Sequence, residues 1–227
     1  MRKIFLPVLI FTLVTFTCQS CFEIREKVKI NKDGSGTFTM TIDLSQVKAM
    51  LEGFGGSDDG SDGSPFANME AEFESTKLTL EAIEGISNIQ FISQNDGYVV
   101  ETSFDFKNIR ALNAGMDAVY DQGSDDEVIP DYYKFKKSSF ERTAAHNFLD
   151  QVKEELISDE IDVEGMDLAS LFSDVTYVNE IIFEGRKIRK VRSGNPAISE
   201  NGNSAINTYY IFKEAKDQTL EYKLKVK

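Results

Sequence analysis

Residues 23–30 alternate polar and apolar side chains, and beyond the turn formers Asn31-Lys32-Asp33-Gly34-Ser35-Gly36 the run 37–44 is rich in Thr, Phe and Ile. That pattern predicts a strand, a tight turn and a second strand, with Asp33-Gly34 supplying the positive-φ positions that a hairpin turn requires. Ser45 is placed to cap a helical segment over 46–51, which stops at Gly53, Gly55 and Gly56. Residues 53–64 are almost all Gly, Ser and Asp, a composition that buries too little to offset backbone entropy, and they predict a mobile acidic loop. Apolar positions return at helical spacing over 66–83, including Phe66, Met69, Phe73 and Leu80. A second hairpin is expected over 86–93 and 98–106 around Asn95-Asp96-Gly97, followed by a helix over 108–120 with Ile109, Leu112, Met116 and Val119 on one face. The order of hairpin, helix, hairpin, helix is that of a ββα duplication.

Residues 121–131 predict a second mobile acidic loop, and 132–143 alternate enough for a strand or hairpin. A helix over 148–157 and a short helical turn over 168–172 come next. Strands are expected over 176–183, 186–193, 208–213 and 220–226, separated by Gly185, a 194–202 loop and Asp217. The sum is an α+β fold, antiparallel β-hairpins with several helices packed on one face, forming a single globular domain over 21–227. The chain has no Trp, and its 17 Phe and 8 Tyr supply the aromatic core volume.

Residues 1–20 stand apart from this pattern. Arg2 and Lys3 precede an apolar run over 4–16 that is too short to cross a ~30 Å hydrocarbon core as a helix, so it reads as a secretory signal. Both cysteines of the chain, Cys18 and Cys21, sit at the end of this run, so no disulfide framework staples the domain. The segment Thr17-Cys18-Gln19-Ser20-Cys21 resembles the lipobox of bacterial lipoproteins, in which a cysteine thiolate takes a diacylglyceryl group and becomes the mature N-terminus. Ser20 supplies the small residue before Cys21, whereas Cys18 follows Thr17 and bulky Phe16, so Cys21 is the favoured lipidation site. Acyl chains such as palmitate then hold the protein on a membrane, each buried methylene contributing about 0.8 kcal/mol. An ordinary signal peptide with incidental cysteines is the competing reading, although no A-x-A-like site follows the apolar run.

Charge narrows the classes of partner. Removing residues 1–20 takes away Arg2 and Lys3 and no acidic residue, so the net charge of −13 becomes −15. No nucleic-acid partner is expected, because neutralising phosphates takes a sustained basic face. The same balance argues against adsorption on anionic lipid and makes a covalent anchor more necessary.

The run Cys21-Phe22-Glu23, leading into Lys27-Val28-Lys29-Ile30-Asn31-Lys32-Asp33-Gly34-Ser35-Gly36-Thr37-Phe38, resembles the start of small envelope lipoproteins of Bacteroidetes. More distantly it resembles the LppM-type domain of actinobacterial lipoproteins. The layout of Ile182-Phe183-Glu184-Gly185-Arg186-Lys187-Ile188, Asn201-Gly202 and Thr208-Tyr209-Tyr210-Ile211-Phe212 is similar to that domain's closing strands. The chain departs from the LppM-type pattern in having Glu184-Gly185 for Pro-Gly, no Trp in a closing strand and no C-terminal apolar helix. The resemblance implies an α+β envelope domain on a lipid anchor, with no catalytic site to carry over. It also implies the outer membrane of a Gram-negative bacterium, as does the lack of an Asp directly after Cys21.

Catalytic chemistry finds little material. His146 is the sole histidine, beside Ala144 and Ala145, and reads as structural or solvent-exposed. With Cys21 committed to the anchor, no Cys–His pair or ordinary zinc site is available, and no Gly-x-Ser-x-Gly elbow accompanies His146. No cofactor is expected. A carboxylate pair acting as a hydrolase is the alternative to a non-enzymatic role. Asp58, Asp59 and Asp62, between glycines, make a candidate Ca²⁺ loop that misses the EF-hand template, since Met69 stands twelfth from Asp58 and Ser61 and Gly63 stand third and fifth from Asp59. The acidic run 121–127 is a lesser candidate.

One basic cluster, Arg186, Lys187, Arg189, Lys190 and Arg192, suits an anionic-ligand contact or the cationic edge of a sheet. Strand alternation puts Lys187, Arg189 and Val191 on one face and Arg186, Ile188, Lys190 and Arg192 on the other. The function expected is that of a lipid-anchored envelope lipoprotein, not an enzyme, that binds a protein, lipid or glycan of the envelope.

Overall fold

In a computed structural model of the chain, the residues described are 22–46, 48, 69–120, 131–143, 149, 152, 153, 175–213 and 218–227. Strands β1 (Glu23–Ile30) and β2 (Gly36–Asp43) form the first expected hairpin, paired in register from Glu23 opposite Asp43 to Ile30 opposite Gly36. Its turn is held by Asp33, whose carboxylate accepts from the Ser35 N–H at 3.0 Å, while Gly34 takes φ 91°. Helix α1 (Met69–Ala82) leads to the second hairpin, β3 (Ile86–Gln94) and β4 (Val99–Phe106), and then to helix α2 (Ile109–Tyr120). Asn95, Asp96 and Gly97 all have positive φ in the β3–β4 turn. The hairpin–helix order therefore occurs twice.

The cap before residue 46 falls on Asp43 and not on Ser45. Asp43 accepts from the Ser45 N–H at 2.9 Å, and the Ser45 hydroxyl instead accepts from the Asn95 amide at 3.1 Å.

Strands β5 (Tyr133–Lys136) and β6 (Ser139–Arg142) make a third hairpin across a two-residue turn with Lys137 at φ 54°. After them come β7 (Thr176–Phe183), β8 (Ile188–Ser193), β9 (Ala197–Ile198), β10 (Ser204–Tyr210) and β11 (Tyr222–Val226). β10 starts four residues before the expected 208, and β9 lies inside the expected 194–202 loop. Of the several helices expected, α1 and α2 are complete among the described residues. From 148–157, Leu149, Val152 and Lys153 are helical, and Leu149 is buried. The expected turn over 168–172, the loop 53–64 and most of 46–51 and 121–131 lie outside the described residues.

The strands form two sheets. One has seven strands in the order β3-β4-β2-β1-β7-β10-β9, and the other has four in the order β5-β6-β11-β8. The all-antiparallel expectation fails at the centre, where β1 and β7 run parallel from Glu23 opposite Thr176 to Ile30 opposite Phe183. Parallel neighbours need a long crossover, and here it is the chain between Ile30 and Thr176, which carries β2 to β6 and both helices.

One face of the large sheet carries the core. Ile24, Val28, Ile30, Phe38, Phe104, Phe106, Ile181 and Phe183 meet Leu80 of α1, Leu112 and Met116 of α2, and Phe140, Leu224 and Val226 of the small sheet. Phe38 stacks on Phe104 at 4.9 Å, and Phe73 of α1 on Phe91 at 4.3 Å. Gly115 lets α2 close on the sheet, since a Cβ there would lie 2.5 Å from the Phe104 ring. Asn113, also on α2, holds the edge of β5: it donates to the Tyr133 carbonyl and accepts from the Tyr133 N–H, both at 3.0 Å.

Candidate functional site

Alternation along β1 turns Ile24, Glu26, Val28 and Ile30 inward together, so a carboxylate enters the apolar stripe at its middle. Glu26 is fully buried. Its neighbour in register on β7 is Asn179, and Tyr177 lies two residues earlier on the same inward face. From the facing small sheet comes a row of three registered residues, Tyr133 on β5, Arg142 on β6 and Tyr222 on β11, all buried. Tyr120 arrives from the last turn of α2.

These side chains saturate the carboxylate. Oε2 accepts from the Tyr120 and Tyr177 hydroxyls and from Arg142 Nη2 at 3.2 Å. Oε1 accepts from the Tyr133 hydroxyl and from Asn179 Nδ2 at 2.6 Å. A surrounding ring ties the donors to one another: Arg142 Nη2 donates to the Tyr177 hydroxyl at 2.7 Å, Asn179 Nδ2 to the Tyr133 hydroxyl at 2.6 Å, and the Tyr222 hydroxyl to Asn179 Oδ1 at 2.6 Å. Arg142 also lies 5.7 Å from the Tyr133 ring centroid and 5.5 Å from that of Tyr177.

Burial alone pushes the Glu26 carboxyl up, but the Arg142 charge and the hydroxyls of Tyr120, Tyr133 and Tyr177 reverse this and hold it below its usual range. Burial drives the phenols of Tyr120, Tyr133, Tyr177 and Tyr222 well above theirs, and the Glu26 charge adds to the rise. The cluster is a buried anion and cation locked in their charged forms. Chemically it suits a tie between the two sheets and α2, because a general acid needs a carboxyl raised toward neutrality and within reach of substrate. The other carboxylates clearly displaced among the described residues, Asp33 and Asp96, are also moved down, by the Ser35 hydroxyl and by Lys48.

The other site residues named from sequence fall into two groups. Cys18, Cys21, Asp58, Asp59, Asp62 and His146, and the run 121–127, lie outside the described residues. The basic cluster is described, and it divides. Arg186 is engaged: Nη2 donates to the Lys32 carbonyl at 2.7 Å, and the guanidinium lies 5.2 Å from the Phe135 ring centroid, which pins the β7–β8 turn to the β1–β2 turn. Lys187, Arg189, Lys190 and Arg192 are exposed.

Ile188 and Val191 do not take opposite faces as plain alternation requires. β8 is an edge strand with two bulges, at Arg189 and Arg192, so Val191 faces Leu224 and Ile188 faces Val226, and both pack on the core. Among the described residues no three His, Cys, Asp or Glu side chains converge as a metal site, and no helix is long and apolar enough to cross a membrane.

The Glu26 cluster was missed in the sequence, although it left a trace there. Glu26 on β1, Asn179 on β7 and Arg142 on β6 each occupy an inward position of an alternating strand. A polar residue on the apolar parity is the signal.

A scan against protein-family models finds no match, and a search of curated proteins finds none either. Among solved structures, the chain is similar to the folded domain of LppM from Mycobacterium tuberculosis, determined by NMR. The two are 11% identical, with 91% of this chain and 90% of that one covered and a TM-score of 0.40.

Proposed function

We infer that this chain is a non-enzymatic lipoprotein of the bacterial cell envelope, tethered by an acylated Cys21 and acting by binding an envelope component. The observation that carries this reading is the join between the N-terminal segment and the fold. A basic, apolar and small-residue run ends at Cys21. The domain begins at once behind it: Phe22 is buried, its carbonyl accepts from the Thr176 N–H at 3.1 Å, and β1 starts at Glu23. A thioether-linked diacylglycerol at Cys21, with a further acyl chain on its amine, gives the two or more chains that stable anchoring takes. With no long stalk, the domain stays within a few ångströms of the headgroups. Phe22 in place of an Asp after the cysteine supports delivery to the outer membrane.

A non-catalytic role is supported by the use the fold makes of its buried ionisable groups, which bind one another. The experiment is intact-mass measurement of detergent-extracted protein beside Cys21→Ala and Cys18→Ala variants. A mature species starting at an acylated Cys21, lost in Cys21→Ala and kept in Cys18→Ala, is the expected result. An unmodified N-terminus, or an acyl group on Cys18, overturns the assignment.

A further inference from the structure

The cations of this acidic chain are not spread evenly. In the small sheet Phe135, Phe140, Val191 and Leu224 face the core, so their strand neighbours face outward. The registered pairs lay those outward residues in two rows. One row is Lys134, Glu141, Lys223 and Ser193, and the other is Lys136, Ser139, Lys225 and Lys190. The β8 bulges leave Arg189 and Arg192 exposed along the same edge. Five lysines and two arginines thus gather on one small sheet against a single acid within the rows, Glu141, which Lys223 meets at 2.8 Å. At the margin, Asp131 lies 3.3 Å from Lys134.

Edge protection explains only part of this arrangement. Cations on β8 discourage strand addition there, and the bulges already do so. Lys223 and Lys225 stand on β11, which has a partner on each side, and β5 is held at its free edge by Asn113. Lys225 and Lys190 face each other directly across the sheet, a like-charge pairing that weakens it. The fold tolerates a repulsion that no internal contact requires.

We propose that the outer face of the β5-β6-β11-β8 sheet docks on the phosphate headgroups of an anionic bilayer. The chemistry of the face selects that partner. Lysine ammonium groups are point charges without directional demand, suited to many mobile phosphates. Among the described residues the exposed large apolar side chains, Leu78, Ile92, Ile198, Ile206 and Tyr210, all lie on α1, β3, β9 and β10, and none on the small sheet. Without exposed aromatic or apolar anchors among its described residues, the face offers neither the hot spots of a protein interface nor the stacking platforms that hold sugars. Each Lys or Arg at an anionic surface adds about a fivefold increase in binding. The net charge of −13 averages over a surface that the fold has sorted, and the acidic remainder, repelled by the same bilayer, orients this face toward it. The small sheet crosses β1 at Glu26, five residues from Cys21 and so about 16 Å of strand from the anchor.

This proposal deepens the membrane-tethered reading, and one experiment separates the two. The intact lipoprotein is placed on vesicles of neutral lipid and on vesicles with 30% anionic phospholipid, labelled with an amine-reactive reagent and read lysine by lysine. Lys27 and Lys29, exposed on the outer face of the large sheet, serve as controls in the same molecule. Docking is expected to protect Lys136, Lys190 and Lys225 at least about fivefold on anionic vesicles only, with protection lost in 1 M salt, where screening shortens to about 3 Å. The exposed double variant Lys190→Glu/Lys225→Glu is expected to abolish protection at the remaining Lys136, and Lys27→Glu/Lys29→Glu to leave protection of all three lysines intact. Equal labelling on both vesicle types, equal protection of Lys27 and Lys29, or protection by soluble polyphosphate but not by vesicles overturns the proposal. Loss of the protein from neutral vesicles in salt overturns the tether alone, because the protection pattern is read independently on anionic ones.

Discussion

Removing the charge of Glu26 tests whether the buried cluster ties the fold together. In Glu26→Gln the side chain keeps its shape. With its oxygen at the Oε2 position it still accepts from Tyr120, Tyr177 and Arg142, but its NH₂ group then faces two donors, the Tyr133 hydroxyl and Asn179 Nδ2. Arg142 is left fully buried without a counter-ion, and a guanidinium does not escape by losing its proton. Breaking a buried pair from one side costs about 3–5 kcal/mol. In a domain of this size that is a fall in Tm of about 6–20 °C.

The reciprocal variant, Arg142→Met, behaves differently. Glu26 retains four donors and can take up a proton, so its cost at neutral pH is expected to be smaller. The pH dependence then weakens. In the parent, the lowered Glu26 pKa contributes stability that is present above the unfolded value of about 4.5 and lost as pH falls through the folded value. In Arg142→Met the carboxyl loses its counter-ion and rises relative to the parent, so this contribution shrinks and the loss of stability in acid is shallower. Thermal melts followed by circular dichroism between pH 2 and 8 read both effects. A cost below about 1 kcal/mol for Glu26→Gln, or parallel pH profiles for parent and Arg142→Met, refutes the reasoning.

The raised phenols of Tyr120, Tyr133, Tyr177 and Tyr222 contribute stability that is complete below their unfolded pKa near 10 and is lost as pH rises, by up to about 5 kcal/mol per pH unit for the four together. Half of the 8 tyrosines should therefore ionise in one step with loss of sheet structure, and ionisation of all of them with the sheet intact counts against the cluster. Gly115→Ala improves helix propensity by about 1 kcal/mol but drives a Cβ to 2.5 Å from Phe104, so the variant is expected to melt lower; a higher Tm shows that the ring yields. Asn113→Ala leaves the buried Tyr133 N–H and carbonyl without their partner, at about 2–4 kcal/mol, and denaturant unfolding with an unchanged midpoint contradicts that.

What sequence made legible was local. The turns at Asp33-Gly34 and Asn95-Asp96-Gly97, the hairpins they close and the buried face of α2 follow from residues a few positions apart. The failures are non-local. Nothing in 23–30 says that β1 pairs with β7, 153 residues on at Glu26 and Asn179, and that parallel contact makes the sheet mixed. β10 was placed too late because its inward position 207 is an asparagine, whose amide donates to the Thr219 carbonyl at 2.7 Å and so looks polar in the pattern. Ile188 and Val191 are three apart, a spacing that period-2 reading splits between faces and that two bulges reconcile. The basic cluster was visible as a run of charge, but its true extent was not, since Lys134, Lys136, Lys223 and Lys225 join it only through sheet pairing.

The buried cluster and the basic face share one cause, strand parity. Glu26 finds its full set of donors only when β1, β5, β6, β7 and α2 all stand in their observed registers, the donors being 94 to 153 residues away in sequence. A slip of one residue in β5 or β6 turns Tyr133 or Arg142 outward and strands a charge in the core, which makes such assemblies costly out of proportion to the residues moved. The same alternation that turns Tyr133, Arg142 and Tyr222 inward turns Lys134, Glu141 and Lys223, and beyond them Lys136 and Lys225, outward. Selecting the register that satisfies Glu26 therefore also selects the surface on which the lysines converge. A polar core of this kind contributes little net stability over an apolar one, but it specifies which residues the small sheet presents to its surroundings.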